Sequence, residues 1–241
     1  LRAVIGPAKT NAVRTLESLG VPHALRSYPV DEEHLDAVAG LLARFHGEAE
    51  RSERIDAFGT LDSFKVNTDE NFAQTEPFIG TTLSRDTFER IRDWTGSFYR
   101  EEGAVFEKRI REGRVRDCHG DLHMEHVCFL DPVAAIDCIE FNDRFRYSDT
   151  LADIAFLLMD LEFRGGEGRA AGLWSRYAER AGESGMERLL NFYKVYRAYV
   201  RGKVIGFQLN DPQIDEQAKE EAVRTAGAYF DLARRTVETA P

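Results

Sequence analysis

The sequence predicts a mainly α-helical protein with one small β-hairpin set into it. Three observations carry this. Apolar residues recur at helical spacing along most of the chain. Only one region, "HVCFL" (126–130) followed by "AAIDCI" (134–139), is short, rich in β-branched and aromatic residues and bounded by a turn. The balance of 43% hydrophobic and 31% charged residues is that of a globular chain, and 241 residues suffice for one large domain or two small ones.

The first helix is expected in "TNAVRTLESLG", capped by Thr10 or Asn11 and stopped at Gly20 with Pro22 beyond. Asp31 opens a second, whose Leu35, Val38, Leu41, Leu42 and Phe45 share one face. Residues 59–80 lack apolar periodicity and carry Asn, Thr, Asp, Pro and Gly, so an irregular loop is expected there. A long helix then runs from Asp86 to about Glu112, with Phe88, Ile91, Trp94, Phe98 and Val105 or Phe106 inward. After the hairpin, "SDTLADIAFLLMDLEF" (148–163) is apolar nearly all round and must be a central helix. "RGGEGR" (164–169) interrupts it, and helices over roughly 168–182 and 186–208 follow. In the second of these, Leu189, Phe192, Tyr193, Tyr196, Tyr199 and Val200 form a stripe that reads as core. An amphipathic helix over about 213–238 closes the chain.

Several classes of function are disfavoured. A net charge of −10 is wrong for binding nucleic acid, which needs a basic surface to displace counterions. The basic run "EKRIREGRVR" (107–116) reads as a solvated helix end. The longest apolar run, Ile154 to Met159, is far too short to span a bilayer, and no charged-then-apolar leader opens the sequence. Cys118, Cys128 and Cys138 are odd in number and form no CxxC pair, which points to a reducing, cytoplasmic setting.

Chemistry concentrates in "VRDCHGDLHMEHVCFLDPVAAIDCIEFN" (115–142). Cys118, His119, His123, His126 and Cys128 are enough soft ligands for zinc, but they crowd one segment and lack a second, separated pair. Phosphoryl transfer fits better. It needs one carboxylate to orient or deprotonate a hydroxyl and oxygen ligands to hold Mg²⁺ against nucleotide phosphates. Asp121 precedes the first strand and Asp137 ends the second, so the hairpin brings the two carboxylates together.

"HGDLH", then "IDCIEFN", then "SDTLADIAFLLMDL", in that order, resemble the aminoglycoside phosphotransferase-like kinases, closest to a bacterial branch fused to a P-loop ATPase-type domain. The resemblance covers about residues 36–235. It implies that 36–241 form the helical C-terminal lobe of a protein-kinase-like (α+β) fold. It implies Asp121 as catalytic base, Asp137 as Mg²⁺ ligand, His119 as a loop brace and Asp153 as a buried support of the catalytic loop. A carboxylate opening an apolar helix, as Asp153 does, must accept hydrogen bonds to be tolerated. Where the family has a metal-binding Asn, this sequence has His126, a softer ligand less suited to Mg²⁺: either His126 serves through water, or neighbouring Glu125 substitutes, or metal binding is weakened.

The implied reaction is ATP- and Mg²⁺-dependent phosphorylation of a small-molecule hydroxyl. The acceptor cleft would be lined by Glu140, Asp143 and aromatics of the 186–208 helix, and its acidity suits a cationic acceptor. Residues 1–35 are too few for the nucleotide-gripping N-terminal lobe, so that lobe is expected to be absent and supplied by a lost segment or a fused P-loop domain. Alone, the chain is then expected to be inactive or weakly active. "AVIGPAKT" is no P-loop, because Ala3 and Ala8 stand where glycines are required. Residues 9–35 instead resemble the opening of aminoacyl-tRNA-editing deacylase domains. The competing reading is a non-catalytic kinase-like binding or interaction module.

Overall fold

The computed structural model describes residues 31–129 and 132–240. The helix expected after Thr10, most of the 9–35 segment, and the hairpin tip at Leu130 and Asp131 lie outside these residues. In chain order the helices are α1 (Glu32–Glu48), α2 (Glu53–Asp56), α3 (Leu61–Thr75), α4 (Arg85–Glu102), α5 (Ala104–Arg111), α6 (Asp143–Arg146), α7 (Thr150–Phe163), α8 (Glu167–Ala181), α9 (Glu187–Gly206) and α10 (Glu216–Thr239). The strands are β1 (Val115–Asp117), β2 (Val127–Cys128), β3 (Ala134–Ala135) and β4 (Tyr147–Asp149). The architecture is mainly helical, as expected. Among the described residues, no helix is long and apolar enough to cross a membrane.

These elements sort into two compact units. The first holds the described residues through Phe58 together with Gly113–Met186; the second holds Gly59–Glu112 and the residues from Glu187 onward.

In the first unit, Asp31 caps α1 by accepting the His34 N–H, and Glu32 and Glu33 suit the positive end of the helix dipole. The buried face is Leu35, Val38, Ala39, Leu42 and His46, rotated from the predicted one toward Ala39 and the polar His46. α7 is buried at every position from Thr150 to Leu161. The predicted hairpin shrinks to two pairs, Val127 with Ala135 and Cys128 with Ala134. A second ribbon went unpredicted: β1 pairs antiparallel with β4, Val115 opposite Asp149. It escaped notice because "VRD" and "YSD" carry almost no apolar pattern.

Two expectations fail in the second unit. Residues 59–80 are not an irregular loop but chiefly α3, capped by Thr60, which accepts the Ser63 N–H. Its buried face is Phe64, Thr68, Asn71 and Thr75, a helical repeat written mostly in polar residues. Each polar member is satisfied: Thr68 Oγ1 bonds Tyr99 Oη at 2.9 Å, Asn71 Oδ1 accepts from Lys203 Nζ at 2.7 Å, and Thr75 pairs with the Tyr199 hydroxyl. The single helix expected from Asp86 to Glu112 is broken into α4 and α5 at Gly103. There a Cβ would fall 2.6 Å from the Tyr99 carbonyl oxygen. The stripe on α9 is core: the Phe192 ring stacks on Phe98 with centroids 4.1 Å apart.

Candidate active site

The segment from Cys118 to His126, in the first unit, has almost no regular structure, yet its backbone is pinned along its length. Asp153, in the first turn of α7, is 0% exposed and accepts three hydrogen bonds. The His119 N–H donates to Oδ2 at 3.0 Å, the Gly120 N–H to Oδ1 at 2.9 Å, and His46 Nε2 reaches Oδ2 at 3.1 Å. His46 is in turn held through Nδ1 by the Tyr177 hydroxyl at 2.8 Å. A buried carboxylate costs several kcal/mol unless its lone pairs are filled, and here they are. Helices α1, α7 and α8 thereby converge on two consecutive loop amides.

Asp160, two turns further along the same face of α7, does the same for the far end of the loop. It is 0% exposed, accepts the Met124 N–H at 3.0 Å and is approached by Arg164 Nε at 3.4 Å. Between these anchors Gly120 has φ of +82°, and a Cβ there would meet the Phe145 carbonyl oxygen at 2.7 Å. The Cys118 and Ile139 amides add bonds to Arg146 O and His119 O. Arg146 also grips the Asp117 carboxylate through two nitrogens.

Asp121 stands on this braced loop with its side chain 37% exposed. His123 Nδ1 accepts the Glu125 N–H at 3.4 Å, which leaves its Nε2 to face Asp121 Oδ2 at 3.6 Å. His126 lies between the two aspartates singled out from the sequence. Its Nδ1 is 2.7 Å from the Asp121 carbonyl oxygen and 3.7 Å from Asp121 Oδ2, and its Nε2 is 3.6 Å from Asp137 Oδ2. A carbonyl oxygen only accepts, so Nδ1 carries the proton. Burial, then the neighbouring His123, pushes the His126 imidazole below its ordinary value. The ring is therefore neutral near pH 7, and the Nε2 lone pair is directed at Asp137.

Asp137 does not end the strand but follows β3, and it is the one non-glycine residue among those described with positive φ, at 59°. His119 backs the His126 ring, with centroids 5.8 Å apart and planes 30° from parallel, and its Nε2 donates to Ile136 O at 2.7 Å. His119 Nδ1 is buried without a hydrogen-bond partner, and burial lowers the affinity of the ring for a proton.

The remaining candidates are dispersed. The Glu125 carboxylate accepts from Arg164 Nη2 at 3.2 Å and turns to that arginine. Asp143 begins α6 and pairs with Arg54; Glu140 is exposed in the preceding loop. Phe192, Tyr196 and Tyr199, expected near an acceptor, line with Thr68 and Asn71 only a small hollow within the second unit. The five soft ligands weighed for zinc are divided: Cys118 groups with His46 and Asp153, while His123 and His126 group with Asp121. Burial, and then Asp153, raises the Cys118 thiol well above its ordinary value, and the thiol donates to Ser148 O.

Sequence reasoning passed over His46 and Asp160. A signal for Asp160 was present: it is the second aspartate, seven residues after Asp153, in a stretch (151–161) that is otherwise apolar.

No family model matches the chain. Uncharacterized protein Rv2004c of Mycobacterium tuberculosis and uncharacterized protein Mb2027c of Mycobacterium bovis are each 37% identical to it over 210 residues, 87% of this chain and 41% of theirs. The chain thus spans about two fifths of the length of these relatives. Among solved structures, choline kinase LicA from Streptococcus pneumoniae matches with a TM-score of 0.50 and 16% identity, over 92% of this chain and 79% of that one. At that identity the likeness shows the fold, which is kinase-like. The similarity of residues 9–35 to tRNA-editing deacylases finds no support in these relatives.

Proposed function

We propose that this chain carries the catalytic loop of an ATP-dependent phosphotransferase, corresponds to the C-terminal lobe of the kinase-like fold, and serves phosphoryl transfer to a hydroxyl of a small molecule. One observation supports this above the others. A loop anchored at both ends by buried aspartates presents Asp121, and a single imidazole ring separates it from Asp137. Phosphoryl transfer relies mainly on positioning and electrostatics, and so demands a loop that does not move.

In this reading Asp121 accepts the proton of the attacking hydroxyl, and His123 Nε2, 3.6 Å from its Oδ2, orients the carboxylate. Asp153, Asp160 and His119 keep the loop in register. A carboxylate oxygen and an imidazole lone pair directed at each other are a donor set that fits a divalent cation, so Asp137 and His126 would hold one, Mg²⁺ by the resemblance. When bound, the cation neutralises charge on the nucleotide phosphates. Glu140, exposed after Asp137, would supply an acidic group suited to a cationic acceptor, while Asp143 is engaged by Arg54.

Thermal unfolding with and without Mg-ATP tests the reading, since a ligand that binds only the native state raises the midpoint. The midpoint should rise in the wild type and in Asp121→Asn, but not in Asp137→Asn. A wild-type midpoint unmoved by saturating Mg-ATP contradicts the nucleotide site.

A further inference from the structure

The geometry points to a metal preference at this site: the His126–Asp137 pair selects a nitrogen-accepting divalent ion, Mn²⁺, over Mg²⁺. This rests on the proposed role of these two residues as the metal-holding pair.

The tautomer of His126 is set locally. Its Nδ1 proton is committed to the Asp121 carbonyl oxygen at 2.7 Å, so Nε2 is the nitrogen left to face Asp137 Oδ2 at 3.6 Å. A ring nitrogen and a carboxylate oxygen facing one another are bridged either by a proton or by a metal cation that displaces it. Ligand atoms about 2.0–2.2 Å from one ion, at angles between octahedral and tetrahedral, are roughly 3.0–3.6 Å apart. The observed spacing falls at the upper edge of that range, so little movement is needed to close on an ion.

The imidazole is held on both sides. The His126 amide bonds His123 O at 3.0 Å, and the His126 carbonyl accepts the Ile136 N–H at 2.9 Å, tying the residue to the chain immediately before Asp137. The His119 ring lies against the imidazole and bonds the Ile136 carbonyl. Asp137 holds a left-handed backbone conformation that few non-glycine residues adopt, and its Oδ2 stands 3.6 Å from the ring nitrogen.

The donor types then decide the ion. Mg²⁺ demands hard oxygen ligands and gives up its waters reluctantly, whereas imidazole nitrogen suits transition metals. Mn²⁺ shares with Mg²⁺ the carboxylate and phosphate oxygens of the proposed reaction and, as the weakest-binding member of the first-row series, still takes an imidazole nitrogen more readily than Mg²⁺ does.

The test uses the chain stripped of metal by chelation, without nucleotide. Mn²⁺ is titrated while its free signal is followed by electron paramagnetic resonance, and Mg²⁺ is then added as competitor. Expected are roughly tenfold or greater preference for Mn²⁺ and a nitrogen hyperfine coupling on the bound ion. In His126→Asn the coupling should vanish and the preference shrink toward unity; in Asp137→Asn binding should fall for both ions. Mn²⁺ bound without nitrogen coupling in the wild type, or displaced by Mg²⁺ at equal concentration, overturns the inference. That readout needs no folded variant and no nucleotide. A Mg-ATP midpoint shift without nitrogen coupling defeats the metal preference alone, while coupling without any nucleotide response defeats the phosphotransferase reading alone.

Discussion

Replacing Asp153 should release the loop that carries Asp121 and cost much of the stability of the first unit. The carboxylate is fully buried and takes the amides of His119 and Gly120 and the His46 ring at 2.9–3.1 Å. A hydrogen bond to a charged group contributes about 1.5–3 kcal/mol, so three would sum to roughly 4.5–9 kcal/mol if they were independent. They share one acceptor and are not independent. The loss seen when one partner of a buried charged network is removed, about 3–5 kcal/mol, is therefore the better figure for Asp153→Ala. Asp153→Asn keeps one acceptor oxygen but turns an N–H₂ toward donors, and should lose about 2–3 kcal/mol. Urea unfolding gives the totals, and amide hydrogen exchange reads the site: the His119 and Gly120 amides should lose protection before those of α7. A cost below about 1 kcal/mol for Asp153→Ala, with both amides still protected, would refute the claim that this residue holds the loop.

Three other outcomes follow from the same geometry. Gly120→Ala must take φ of +82° with its Cβ 2.7 Å from a carbonyl oxygen, and should cost at least about 2 kcal/mol in urea unfolding; a neutral result would mean the loop yields there. Asp137→Gly relieves a left-handed aspartate but loosens the unfolded chain, so stability should change by less than about 1 kcal/mol while divalent-metal binding disappears. A calorimetric titration that still detects the metal would contradict this. Burial lowers the proton affinity of His119 below the ordinary 6.5, so the unfolded chain takes up the proton first. Its contribution is complete above that value and is lost as pH falls through it. Thermal midpoints measured between about pH 7.5 and about pH 5.5 should therefore decline less in His119→Asn than in the wild type; parallel curves would exclude His119 as a source of the decline.

What was legible in the sequence followed the apolar pattern. α7 was plain because twelve successive positions, Thr150–Leu161, are buried and most are apolar. α3 was hidden because, Phe64 apart, its inward face is Thr68, Asn71 and Thr75, whose burial depends on hydroxyl and ammonium partners farther along the sequence. The β1–β4 ribbon was hidden for a related reason: pairing of "VRD" with "YSD" rests on backbone bonds rather than on a hydrophobic face. Within the candidate site, Asp121, Asp137 and Asp153 could be singled out because motif order and chemistry pointed to them. His46 could not, since nothing local marks a histidine whose partners, Asp153 and Tyr177, lie more than a hundred residues away. The bridging position of His126 depends on a ring orientation that only the folded loop defines.

The central claim is that Asp121, on its anchored loop, is the base of a phosphotransferase. The direct measurement is ATP-dependent phosphorylation of a panel of small hydroxyl compounds by the protein at the full length of its relatives, wild type against Asp121→Asn. A turnover number lower by roughly 10²–10⁴ in the variant, with ATP affinity retained, is the predicted result. Wild-type turnover in Asp121→Asn would contradict it.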